Sequence, residues 1–129
     1  MPRKRSLLLT DHELRLMNVL WSRGRATVAE VTAALGPPPL AYNTVLSTLR
    51  TLEQKRFVTH DEAGRAFAYR PLIERTDAAK SAVRHVLTRF FQDSANALAV
   101  ALLDDVALRD SERERIRRIL ESKKAIESK

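Results

Sequence analysis

The sequence predicts a mainly α-helical fold with a small β-wing, arranged in two parts. Three observations carry this. Apolar residues recur at steps of three and four along most of the chain, which is the helical period. The period drops to two only around residues 57–70, where two strand-like runs flank a glycine. Hydrophobic residues make up 44% of the chain but aromatics only 5%, which suits helices rich in Leu, Val and Ala better than an aromatic-packed sheet. A length of 129 residues allows one or two small domains.

Residues 1–9 begin with the basic arm Pro2-Arg3-Lys4-Arg5. Such an arm suits phosphates or a DNA minor groove, and it is equally the composition of an unstructured terminus. Thr10-Asp11-His12-Glu13 reads as a capping box, in which the hydroxyl and the carboxylate each satisfy an amide at the helix start. The first helix then runs to about Arg23, with Leu14, Met17, Leu20 and Trp21 inward, and stops at Gly24. Trp21 shares that stripe, which makes it a core residue rather than a stacking platform.

Arg25-Ala26 offers a short strand. Thr27-Val28-Ala29-Glu30 is a second capping box, opening a short helix with Val28, Val31 and Leu35 inward. Gly36-Pro37-Pro38-Pro39 ends it, because three prolines cannot continue a helix. A third helix follows from about Ala41. Val45, Leu46, Leu49 and Leu52 gather on one side of it, and Asn43, Thr44, Ser47, Arg50, Thr51 and Gln54 on the other. That polar side has no carboxylate, which suits the floor and rim of a DNA major groove as well as an ordinary solvated face. A capped helix, a tight break and a second helix make a helix-turn-helix.

Phe57-Val58-Thr59-His60 and Ala66-Phe67-Ala68-Tyr69-Arg70 then read as two strands, joined by a loop over residues 61–65 with Gly64 at a position needing positive φ. Together they form a wing, with Arg65 at its tip or edge and Arg70 near its base, both within reach of phosphate. Residues 10–71 therefore read as a winged-helix DNA-binding domain and 72–75 as a hinge.

Thr76-Asp77 caps a fourth helix reaching about Phe91, with Ala79, Val83, Val86 and Phe90 on its apolar stripe and Ala82 and Leu87 widening it. A fifth helix over 94–103 is apolar nearly all round and must be covered on more than one side. A sixth, over 110–122, sets Ile116, Ile119 and Leu120 against a run of Arg and Glu, and residues 123–129 read as a charged, frayed tail. Three short helices make a poor core alone. Each leucine-sized side chain left in water forgoes roughly 1.5–3 kcal/mol. Residues 76–122 therefore read as a three-helix homodimerisation domain. The side chains expected at its interface are Val83, Val86, Leu87, Phe90, Phe91, Leu98, Ala101, Leu102, Ile116, Ile119 and Leu120.

Charge agrees with this division. The chain carries a net +7. Residues 1–75 hold 12 Lys and Arg against 7 Asp and Glu, whereas 76–129 hold 11 against 9. The excess lies with the helix-turn-helix and implies a polyanion partner, of which nucleic acid is the commonest.

The run Leu40-Ala41-Tyr42-Asn43-Thr44-Val45-Leu46, followed by Gly64-Arg65-Ala66 and Tyr69-Arg70-Pro71, resembles the penicillinase-repressor (BlaI/MecI) family of bacterial transcriptional repressors. The likeness covers about residues 7–121. It implies a winged-helix dimer on a palindromic operator, with Asn43, Thr44 and Ser47 approaching bases. It also implies that Thr48 and Arg50 lie near the backbone, joined by Thr51 and Gln54 on the periodicity reading and by Arg65 and Arg70 on the wing reading. Copper-sensing members carry paired cysteines, and none is present here. Members released by a membrane sensor-protease are cut in the dimerisation helices, in some cases at an Asn-Phe bond, and the corresponding bond here falls near Ala101-Leu102, which departs from that specificity. The resemblance thus brings in a β-lactamase-type or stress operon and proteolytic release as expectations.

Other function classes fare less well. The absence of cysteine excludes disulfides, thiolate metal sites and cysteine nucleophiles. His12, His60 and His85 fall on three different elements with no His-x-x-x-His pair, so neither a metal nor any other cofactor is expected. There is no Gly-rich phosphate loop and no G-x-S-x-G, so no catalytic residue is assigned. Asp104-Asp105 reads as a cap or a solubility feature. No apolar run reaches the ~18 residues of a membrane span, so a cytoplasmic chain without membrane insertion is expected. The remaining alternative is a winged-helix adaptor that binds RNA or protein without repressing. The third helix lacks base-stacking aromatics apart from Tyr42 at its start, which favours a duplex.

Overall fold

The computed structural model describes residues 8–105 and 107–127, with side chains described to residue 122. The basic arm over residues 2–5 lies outside the described residues, as do residues 128 and 129 of the tail.

Both capping boxes form. The Thr10 hydroxyl accepts from the Glu13 amide while the Glu13 carboxylate accepts from the Thr10 amide, and α1 runs Asp11–Arg23. Gly24, at φ 83°, supplies the conformation that stops it. Thr27 and Glu30 repeat the arrangement at the start of α2 (Val28–Ala34). Thr27 also belongs to the two-residue strand β1 (Ala26–Thr27), one position later than expected. The helix α3 spans Tyr42–Gln54 from an Ala41 cap that has no side-chain hydrogen bond.

The wing is longer and tighter than its sequence suggests. Strands β2 (Val58–Ala63) and β3 (Ala66–Pro71) pair antiparallel with Ala63 opposite Ala66. The connection is thus the two residues Gly64-Arg65 rather than five, with Gly64 at φ 65°. Asp61 and Glu62 look like loop residues because they are polar, but they are exposed residues of β2, paired with Ala68 and Phe67. β1 pairs with the other side of β3, giving the order β1-β3-β2.

The core of this part is closed. Leu16, Met17 and Leu20 from α1, Val28 and Val31 from α2, and Val45, Leu49 and Leu52 from α3 pack with Phe57, Val58 and Tyr69. Phe57 precedes β2 instead of opening it. Leu14, expected inside, is 43% exposed, and Leu16 takes its place. The buried positions of α1 are 13, 16, 17 and 20, and residue 14 points about 100° away from that stripe. Leu46 and Leu35 are only partly buried against the core.

After β3 the chain turns at Leu72-Ile73-Glu74 into α4 (Arg75–Phe90). The helix starts one residue earlier than Thr76, because the Glu74 carbonyl accepts from the Asp77 and Ala78 amides. Helix α5 (Ala95–Asp104) is capped by the Ser94 hydroxyl, which accepts from the Ala97 amide. Helix α6 spans Asp110–Glu127 and so passes through residues 123–127, where a frayed tail was expected. Ala, Lys and Glu are strong helix formers, and nothing in that stretch breaks the period.

The chain divides into two compact units after Val83. No described side chain of the second unit is buried. Helix α5, the most apolar in the chain, has none either. Leu98, Ala99 and Leu103 are half-buried, and the rest of its apolar surface is exposed.

Candidate nucleic-acid interface

The geometry of the reading helix follows from its own core face. With Val45, Leu49 and Leu52 fully buried, the positions opposite turn outward, and Asn43, Ser47, Arg50, Thr51 and Gln54 are exposed. Thr44 and Thr48 are half-buried at the edge of this face. The hydroxyls of Ser47 and Thr48 donate to the Thr44 carbonyl at 3.1 and 2.7 Å, and that of Thr51 to the Ser47 carbonyl at 3.1 Å. The outer face is a stripe of short polar groups and one guanidinium. Glu53, the helix's carboxylate, lies on the flank and is bound to the His60 ring at 2.6 Å.

Three braces that sequence reading missed hold this helix. The Lys55 ammonium meets the Glu13 carboxylate at 2.7 Å, and the Glu13 side chain is 4% exposed. Burial raises the Glu13 pKa, but the Lys55 ammonium and the Thr10 amide outweigh it, and the net value lies below the ordinary carboxylate range. The capping carboxylate of α1 thereby fixes the far end of α3. Arg15 donates to the carbonyls of Gly36 and Pro38 at 2.7 and 2.6 Å, holding the break that precedes α3. The Glu53–His60 pair ties α3 to the wing, where His60 also lies against the Phe67 and Tyr69 rings. Burial raises the Tyr69 phenol above its ordinary pKa, so it stays neutral. These partners stand 7 to 42 residues apart in sequence, and no local pattern announces them.

On the wing, Arg65 occupies the exposed turn. Arg70 is exposed too, but its Nε meets Asp61 at 3.2 Å, so its charge is partly spent within the wing. His12 is exposed, and His60 and His85 are half-buried. No group of His, Asp and Glu able to hold a metal occurs among the described residues. No described helix is long and apolar enough to cross a membrane.

The profile of the penicillinase repressor family matches residues 9–122. The chain belongs to the penicillinase repressor family. This family member is 27% identical to the penicillinase repressor of Bacillus licheniformis over 117 residues, which covers 90% of the chain and 91% of that relative. Its fold matches the solution structure of the DNA-binding domain of the repressor BlaI at a TM-score of 0.51 and 29% identity. That match covers 58% of this chain and 93% of that one. The hsRosR-S4 complex structure shares the fold over 95% of the chain and 96% of its own length, at a TM-score of 0.56 and 21% identity. The family consists of repressors and not of enzymes, and its winged-helix fold is the one described above.

The side chains expected at a dimer interface fall in two groups in this penicillinase-repressor homologue. Val83, Val86, Phe90, Ala101, Leu102, Ile119 and Leu120 are exposed, with Phe90 at 72%. Leu87, Phe91, Leu98 and Ile116 are half-buried. The Ala101-Leu102 bond lies inside α5.

Proposed function

We propose that the chain is a sequence-specific DNA-binding transcriptional repressor that acts as a homodimer on a palindromic operator. The observation that carries this is the carboxylate-free outer face of α3, presented by a braced helix-turn-helix beside a wing in a chain of this family. Asn43, Thr44 and Ser47 read base edges from the first two turns. Thr48, Arg50, Thr51, Gln54, Arg65 and Arg70 contact the backbone. The uncovered apolar side chains of residues 83–120 support the dimer. The two-fold symmetry of a dimer makes the operator palindromic, with half-sites one helical turn, ~34–36 Å, or a multiple of it apart. Release by a sensor-protease that cuts the dimerisation helices fits the same scheme, because two linked half-sites bind roughly 10²–10⁴ times tighter than one. An operon for β-lactamase-type or stress resistance is the corresponding target.

Two substitutions on one helix test the assignment. Asn43→Ala removes a base contact and is expected to weaken a selected operator duplex by roughly 1–3 kcal/mol while leaving random duplex unchanged. Arg50→Ala is expected to weaken both alike and to flatten the salt dependence by about one counterion. Titrations by fluorescence anisotropy at several salt concentrations give both readings. Equal losses on the two duplexes for Asn43→Ala refute base reading, and preference for single-stranded RNA over duplex DNA refutes the repressor.

A further inference from the structure

Between β3 and α4 the chain has no regular structure for three residues, and such a stretch would ordinarily let the flanking elements swivel. Here it is fastened. The Trp21 indole N–H donates to the Ile73 carbonyl at 2.9 Å, across 52 residues of sequence. The Arg75 guanidinium lies over the same indole, 5.4 Å from its centroid. One turn further, Ala78 is buried to 8% exposure on a groove shared with Leu9, Leu14 and Trp21. The first turn of α4 is therefore held to α1, the helix whose Glu13 also holds α3.

We infer that Trp21 is a positioning residue for operator spacing: by clasping Ile73 and Arg75 it fixes the direction in which α4 leaves the reader, and so limits the half-site separations a dimer accepts. Trp21 touches no DNA in this scheme. It acts through the segment it fastens, and the inference rests on the dimeric reading above. A swivelling segment would let each reader find its half-site independently, and discrimination between spacings would vanish. A clasped one makes a wrong spacing cost contacts in one half-site.

The full chain is first used to select duplexes from a random pool, and the palindrome recovered is rebuilt with its centre shortened or lengthened by one base pair, and as a single half-site. The wild type is expected to lose roughly tenfold or more on either altered centre. Trp21→Phe keeps an aromatic ring, though a smaller one, and removes the donor. It is expected to bind the single half-site within about twofold of wild type while its spacing loss shrinks to about threefold or less. Arg75→Ala, which leaves the reader's core untouched, is expected to shift the profile the same way and serves if Trp21→Phe does not fold. Retention of the full spacing loss by folded Arg75→Ala or Trp21→Phe overturns the proposal. A wild type that binds one half-site as well as two overturns the dimer itself, and does so before any variant is measured.

Discussion

Glu13 does the work of two residues. Its carboxylate closes the cap of α1 through the Thr10 amide and holds Lys55 at the end of α3. Lys55 is 40% exposed, so solvent screens much of the attraction, and the cap supplies the larger share. Glu13→Ala is expected to cost about 1–3 kcal/mol in urea unfolding at neutral pH. The pH dependence has a definite sign. The folded pKa is lowered, so the contribution is fully present above the ordinary carboxylate value of ~4.3 and fades as pH falls through the lower folded value. The stability gap between wild type and Glu13→Gln should therefore be constant from about pH 6 to 8 and close in acid. A gap that persists unchanged to about pH 2 would show that the charge is irrelevant.

At the scale of elements, α3 ends under strain. Arg56 takes φ 65° so that the Phe57 amide can reach the Leu52 carbonyl at 2.9 Å and seat the buried Phe57 ring. A side chain there costs about 1 kcal/mol that glycine does not incur. Arg56→Gly is expected to raise the midpoint of thermal unfolding by a few degrees, and an unchanged or lower midpoint would show that the positive φ stores no strain. The element ends were legible in the sequence where the signal is local. Thr10 with Glu13, Thr27 with Glu30, Gly24 and the proline run each act within a few residues. Features decided at a distance were not legible. Whether Leu14 or Leu16 turns inward depends on a 100° rotation that only the packed partner fixes. The two-residue β1 exists because β3 offers Ala68 and Tyr69 to pair with. The outer face of α3 was readable because its period is its own. The braces from Glu13, Arg15 and His60 were not, because they come from other elements.

For the whole molecule the unequal burial of the two units is what the proposed dimer rests on. The first unit has a filled core, and the second has no buried side chain among those described. A stable interface buries about 1,200–2,000 Å², and α4, α5 and α6 offer apolar side chains to build one. Phe90 is already 72% exposed, so replacing it disturbs little within one chain. Phe90→Asp is therefore expected to leave the far-ultraviolet circular dichroism of the first unit intact while abolishing the dimer in sedimentation. Operator affinity should fall by roughly 10²–10⁴, and the melting temperature should lose its dependence on protein concentration. A Phe90→Asp chain that remains dimeric would place the interface elsewhere.

The clasp at Ile73 has a practical side. Trp21 is the single tryptophan of the chain, and its indole sits under Arg75 with its N–H engaged. Emission of the unlabelled protein excited at wavelengths that Tyr42 and Tyr69 do not absorb therefore issues from this one point. Opening of the clasp releases the indole N–H to water and shifts the emission to the red. The junction thus carries its own optical gauge, readable in the native chain during operator titration without a dye or an added residue.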